Sequence, residues 1–220
     1  GGAVTTSDAQ LAQAMRELAV HGMPERYLHT SLGYNSRLDA IQAAVLNVKL
    51  PRLEEWIGKR TAIAKRYRDT LGDLNGLTLP TADDGHSWNQ FVVRIGSCPS
   101  GQPLCNASCN PSNTSARHGI PESSCRDWVK QTLQERGVST IIYYPIPIHR
   151  QPAYAHLGLQ QGSLPVTEQL CSQVLSLPIF PELSGQQQET VIDTVRQLLA
   201  PNVPAQFRRA DEGDQDRMVA

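Results

Sequence analysis

Four polar residues in a row, Tyr34-Asn35-Ser36-Arg37, stand directly before an apolar run of helical spacing. Gly33 permits a turn, and Asn35 or Ser36 has the side chain to cap the orphan amides of a first helical turn. Leu38, Ile41, Val45 and Val48 then recur so that one helix face is apolar and built to be buried. An Asn amide and a guanidinium beside a helix N-terminus suit an anion, the guanidinium a diphosphate in particular. The plainer alternatives are an ordinary capped core helix and an ion pair of Arg37 with Asp39. A second polar group, Tyr144 and His149, brackets Pro145 and Pro147. A histidine after two prolines is either a ligand contact or a loop anchor. His29, in the loop before Gly33, is a further candidate. The four lysines, Lys49, Lys59, Lys65 and Lys130, each fall on a predicted helix beside other charges, with no apolar surroundings to depress a pKa.

The elements that must position these residues follow from periodicity and punctuation. Residues 1–6 read as a short strand and Ser7 as an N-cap. Residues 8–21 form an amphipathic helix through Leu11, Met15 and Leu18, closed by Gly22 and Pro24. The helix begun at Leu38 meets Pro51, so a bend or a fresh start is expected near Lys49 to Pro51. Residues 53–71 continue as a helix. Leu53, Trp56, Ile57, Ile63, Ala64, Tyr67 and Leu71 form its buried side, and Arg52, Glu55, Lys59, Arg60, Lys65, Arg66 and Arg68 a solvated one. Residues 72–87 are turn-rich, and 88–95 read as a strand on which Phe91 and Val93 alternate with polar neighbours.

Residues 97–124 are rich in Ser, Pro, Asn, Gly and Cys, a composition that cannot bury enough surface to order itself. Cys98, Cys105, Cys109 and Cys125 lack the paired C-x-x-C of common zinc sites, so no metal is expected. A helix over 127–136 ends at Gly137, and the β-branched run 138–143 reads as a strand, the αβ step of a two-layer domain. The Pro145/Pro147 segment is extended and rigid. Helices follow over 165–175 and, capped by Ser184 or Gly185, over 188–199. Residues 201–220 read as a disordered tail.

Composition narrows the class. At 220 residues, 40% hydrophobic and a net charge of −1, the chain has a core to bury and no electrostatic reason to bind nucleic acid. It has no apolar run long enough for a membrane span and no visible signal peptide, and its five cysteines suit a reducing cytoplasm.

Three ordered stretches resemble the DegT/StrS family of sugar-nucleotide aminotransferases. They are His21-Gly22, Tyr27-x-His29 and GYNSRLDAIQAAVL; then YYPIPIHRQPAY from Tyr143; then LSLPIFPEL from Leu175. The resemblance runs from residue 1 to about 200, with 97–124 as an insertion. It implies a partial α/β fold of the aspartate-aminotransferase type (fold type I). Residues 1–50 would end the large cofactor domain, 51–71 would be a connecting helix, and 72–200 a small C-terminal α/β domain. It also implies pyridoxal 5'-phosphate (PLP) as cofactor, a nucleotide-linked keto-sugar as substrate, glutamate as amino donor, and a homodimer with shared sites. By the same resemblance Asn35 binds the cofactor phosphate across the dimer interface. Arg37, Tyr144 and His149 line the sugar-nucleotide side, and the Schiff-base lysine is expected upstream of Gly1. A chain opening at Gly1 without Met agrees with that expectation, and this portion alone should not catalyse the reaction. Two other readings remain open at this point: a PLP-family sugar dehydratase in which histidine replaces the lysine, and a non-catalytic homologue acting as a binding or regulatory module.

Overall fold

A computed structural model describes residues 2–96 and 125–199. The expectations for 97–124, with Cys98, Cys105 and Cys109, and for the tail therefore lie outside the described residues. The chain divides into two compact units, Gly1–Glu55 and the residues from Trp56 onward.

The first unit holds α1 (Ala9–Leu18) and α2 (Ala40–Lys49). Asp8, not Ser7, caps α1: its carboxylate accepts from the amides of Gln10 at 2.8 Å and Leu11 at 3.1 Å. Residues 2–6 carry no strand pairing among the described residues, because a strand needs a neighbour and none lies alongside. The helix after Arg37 begins at Ala40, two residues later than the apolar spacing suggests. Its N-cap is Asp39, whose side chain makes no capping bond. Pro51 does interrupt the chain as expected: a 3-10 turn, Leu50–Arg52, separates α2 from α3 (Leu53–Leu71). The apolar face of α2 is not buried, however. Leu38 is 53%, Ile41 77% and Val48 67% exposed, because nothing in this unit is packed against it.

The second unit is built on a three-stranded antiparallel sheet in the order β1 (Leu77–Thr78), β2 (Phe91–Ile95), β3 (Val174–Leu177). Phe91, Val93 and Ile95 alternate inward along β2 and Leu175 and Leu177 along β3, as a half-covered antiparallel sheet requires. The buried stripe of α3, Ile63, Ala64, Tyr67 and Leu71, packs into the same core. So do α4 (Cys125–Glu135) through Val129 and Leu133 and α6 (Gly185–Leu199) through Val191, Ile192 and Val195. Tyr67, Phe91 and Trp88 form its aromatic centre, with ring centroids 5.1 and 5.8 Å apart along that chain of contacts. Burial pushes the Tyr67 phenol well above its ordinary range, so it stays protonated and donates to the Pro178 carbonyl at 2.9 Å.

Three polar ties fix the helices of this unit. Gln188 Nε2, buried, donates to the Ile63 carbonyl at 2.8 Å. Arg66 meets Glu189, and Arg196 grips Asp73 with two parallel bonds of 2.8 and 2.9 Å. The basic face of α3 is thus more than solvated surface, since Arg60 also reaches the Ser87 carbonyl at 2.9 Å. Two expected elements differ. The run 138–143 is no strand; Ile141 alone forms a bridge, to Ser176. The helix expected over 165–175 is α5 (Pro165–Gln173), and its last two residues belong to β3 instead. The β-branched run has the propensity of a strand, but only Ile141 meets the sheet edge in register.

Candidate functional site

Asn35 lies on an extended segment, four residues ahead of the Asp39 cap, and does not itself cap α2. The backbone N–H of Tyr34 donates to the Leu18 carbonyl at 2.7 Å, that of His21 to the Tyr34 carbonyl at 2.9 Å, and that of Ser36 to the Ala19 carbonyl at 2.9 Å. Two glycines allow this approach. A Cβ on Gly33 would lie 2.2 Å from the Gly22 nitrogen, and one on Gly22 would lie 2.0 Å from the Ser31 carbonyl oxygen. Gly33 is therefore needed for close backbone contact rather than for a turn. His29 stays beside the same strap, its Nδ1 donating to the His21 carbonyl at 3.1 Å. The strap displays Asn35 and Arg37 side by side and exposed, Arg37 Nε donating to Asn35 Oδ1 at 3.4 Å. Arg37 therefore turns to Asn35 and not to Asp39, the alternative partner expected from the sequence. Guanidinium and amide N–H groups thus remain for an anion.

Tyr144 and His149 belong to the second unit. Tyr144 is 68% exposed, its ring edge-on to Tyr143 at 5.6 Å. His149 is 7% exposed, and its Nε2 lies 3.0 Å from Glu168 Oε1. The ring is committed internally, in the manner of a loop anchor. An open groove of about 1060 Å³ runs along this unit, lined by Ser139, Tyr143, Ser176, Phe180 and Gln187 among others. Neither Tyr144 nor His149 lines it, so the groove and the nominated residues do not coincide.

Residues 1–106 and 110–196 match the DegT/DnrJ/EryC1/StrS aminotransferase family. The chain belongs to that family. Among relatives of this DegT/StrS chain is the erythromycin biosynthesis sensory transduction protein EryC1 of Saccharopolyspora erythraea, 40% identical over 198 residues, 89% of this chain and 46% of the relative. Another is the dTDP-3-amino-3,4,6-trideoxy-alpha-D-glucose transaminase of Streptomyces venezuelae, 38% identical over 199 residues, 90% of this chain and 45% of the relative. The crystal structure of S. venezuelae DesV in complex with a ketimine intermediate superposes with a TM-score of 0.72 at 37% identity, over 89% of this chain and 46% of that one. The DegT/StrS chain spans just under half the length of the curated relatives it matches.

An aldehyde cofactor would need an amine in a sheltered site; Lys49, Lys59 and Lys65 of this DegT/StrS chain are exposed and Lys130 is half-buried on α4. Lys65 pairs with Asp69 at 2.6 Å with three quarters of its side chain exposed, and no lysine lines the groove. The exposed Asn35 amide has the donor chemistry that the anionic end of such a group would need, and the lysines do not fit its reactive end. Among the described residues no helix is long and apolar enough to cross a membrane.

Glu168 is the residue that sequence reasoning missed. It takes bonds from His149, Gly162 and Leu164. The available signal was Pro165 at the first helical position with an acidic residue in the first turn, a pattern that points a carboxylate back at the preceding loop amides.

Proposed function

We propose that this chain serves a sugar-nucleotide aminotransferase. Such an enzyme moves an amino group, with glutamate as donor, onto a keto-sugar carried by a nucleoside diphosphate, and PLP supplies the amino-group carrier. The observation that carries the reading is the exposed Asn35–Arg37 pair, held on a strap locked by Gly22 and Gly33, in a chain 38% identical to a named dTDP-sugar transaminase. In this reading the fold is the C-terminal portion of a fold-type I transferase, with residues 1–50 in the large domain, 51–71 connecting, and 72–200 in the small domain. Two copies pair so that Asn35 of one donates to the cofactor phosphate of the other. Arg37 takes the diphosphate of the substrate, and Tyr144 and His149 serve the sugar-nucleotide side.

In this reading Asn35 and Arg37 bind and orient anions, and the covalent chemistry lies with none of the four lysines of this chain. The test uses the full-length protein. Formation of 2-oxoglutarate from glutamate in the presence of PLP and a nucleotide keto-sugar is the expected activity. Asn35→Ala removes one hydrogen bond to a charged group, worth roughly 1.5–3 kcal/mol, so PLP affinity should fall about one to two orders of magnitude in a fluorescence titration. The 220-residue chain alone should develop no PLP absorbance band. Unchanged PLP affinity in Asn35→Ala, or cofactor fixed to the 220-residue chain by borohydride, would overturn the assignment.

A further inference from the structure

Glu168 occupies the first turn of α5 and serves three donors. Its Oε1 accepts from His149 Nε2 at 3.0 Å, from the Gly162 amide at 2.9 Å and from the Leu164 amide at 3.4 Å, while Oε2 accepts from Gly162 at 2.8 Å. The Gly162 amide first, and then the His149 ring, hold its carboxyl below the usual glutamate range. An ionised carboxylate only accepts. The hydrogen in the His149–Glu168 bond therefore sits on Nε2 of the ring. Both side chains are largely withdrawn from solvent, His149 at 5% and Glu168 at 20% exposure.

The place of this pair in the chain gives it a use. Ile141 is tied to Ser176 in both directions, at 3.3 and 2.7 Å. From there to Pro147 no further backbone–backbone hydrogen bond holds the segment among the described residues, and Pro145 and Pro147 have no N–H to offer. The next tether is the 3-10 turn Ile148–Arg150, and His149 is its buried residue. Tyr144 thus lies exposed between two held ends, the Ile141 bridge with Ile142 packed on the core, and the buried Pro147 with the His149–Glu168 bond.

We propose that Glu168 is a positioning residue: through His149 Nε2 it clamps the far end of the segment that presents Tyr144 to the sugar nucleotide. His149 then acts by holding that segment. This rests on the sugar-nucleotide reading given above, with Tyr144 as the group that meets the substrate.

The test is a double-mutant cycle in the full-length enzyme. Glu168→Ala and His149→Ala should each raise the KM for the nucleotide sugar about tenfold, the scale of one lost charged hydrogen bond, and leave the KM for the amino donor in place. The double variant should be no worse than Glu168→Ala alone, because that variant has already removed the His149–Glu168 bond. His149→Gln, whose amide keeps an N–H donor, should recover most of the loss. Glu168→Gln keeps the volume of the side chain should Glu168→Ala fail to fold. Additive losses, equal losses on both substrates, or His149→Gln no better than His149→Ala would overturn the proposal. ¹⁵N spectra of the His149 ring read the clamp without any substrate. A proton on Nε2 that is lost or exchanges faster in Glu168→Gln supports it, and a proton found on Nδ1 alone overturns it. Should the enzyme show no nucleotide-sugar activity, the functional reading fails, while the ¹⁵N spectra still decide the clamp.

Discussion

Residues 2–55 and the residues from Trp56 onward keep their shape by different means. Among the described residues of the second unit nineteen hydrophobic residues are buried, six of them, Ala64, Tyr67, Leu71, Phe91, Leu133 and Leu175, with no exposed surface at all. In the first, Gly22 is the one buried residue among those described, while Leu32 is 95%, Ile41 77% and Val4 75% exposed. What the first unit has instead is backbone geometry: three amide–carbonyl bonds across the 18–21 and 34–36 strap and two glycines packed where a methyl group would collide. Such contacts fix where Asn35 and Arg37 stand, but hydrogen bonds exchanged with water contribute little net stability. Apolar burial is the dominant favourable term in folding. The strap that displays Asn35 and Arg37 is thus defined in detail by a region without a core of its own, and the stability of the chain resides in the other unit.

The sharpest way to break this contrast is to make the same kind of truncation in each unit. Phe91→Ala empties the centre of the aromatic cluster and should cost about 3–5 kcal/mol in denaturant unfolding of the 220-residue chain. Ile41→Ala, on a side chain mostly in solvent, should stay within about 0.5 kcal/mol. Comparable losses would mean that the first unit has a core after all.

Next in size is a buried charge. Arg126 is 2% exposed, its Nε bonded to Asp127 at 2.7 Å and its Nη1 to the carbonyls of Cys171 and Val174 at 3.1 and 3.0 Å. It closes the C-terminal end of α5 where β3 begins. Arg126→Met leaves two carbonyls without their donor and should lower stability by about 2–3 kcal/mol, read as an earlier urea midpoint at unchanged slope. An unchanged midpoint would show that water replaces the guanidinium at no cost.

These two residues also mark what the sequence made legible. Period-two alternation announces Phe91 and Val93 as inward, and 3.6-residue spacing announces Ile63, Tyr67 and Leu71, because burial inside one domain imposes a period on the sequence. The same spacing in Leu38, Ile41 and Val45 predicts a buried face that this chain does not cover, since periodicity records that a face is apolar and not what lies against it. Arg126, Glu168 and β3 were hidden for another reason. Each depends on a partner outside its own element: Val174 for Arg126, Gly162 and His149 for Glu168, and β2 for a four-residue strand whose first two residues read as the end of a helix. Asn35 and Arg37 could be picked out by type, whereas their strap required Gly22 and Gly33 to face each other across eleven residues.

A smaller effect separates the units by their helix caps. In α6, Ser184 and Gln187 form a reciprocal box: the Gln187 amide donates to Ser184 Oγ at 3.2 Å, and the Ser184 amide to Gln187 Oε1 at 2.9 Å. Asp8 caps α1 with similar chemistry. Either cap is worth about 1 kcal/mol. Ser184→Ala should appear in the global unfolding midpoint, because α6 carries core residues. Asp8→Ala should reduce helix content measured by circular dichroism and leave the midpoint in place, because α1 has no buried residue to couple it to the core. A midpoint that falls equally in both variants would join the two units into one cooperative structure.

The smallest effect is an acid-side slope confined to the second unit. Glu168 has its pKa lowered by the Gly162 amide and then by His149, and Asp73 by its hydrogen bonds to Arg196. In both, the folded value lies below the unfolded one, so between them the unfolded chain binds more protons and stability rises with pH. The contribution is fully present above the ordinary carboxylate range, near pH 4, and is lost as the pH falls through the folded values. All three tryptophans, Trp56, Trp88 and Trp128, lie in the second unit, so their fluorescence follows that unit alone. The fluorescence-detected midpoint should fall between about pH 5 and pH 3 in the unsubstituted chain. Glu168→Gln should make that fall shallower while already lying lower at neutral pH, because it gives up the charged acceptor under all conditions. If Glu168→Gln keeps the full acid slope, the Gly162 and His149 contacts do not persist in solution, and the second unit is less firmly latched than its core suggests.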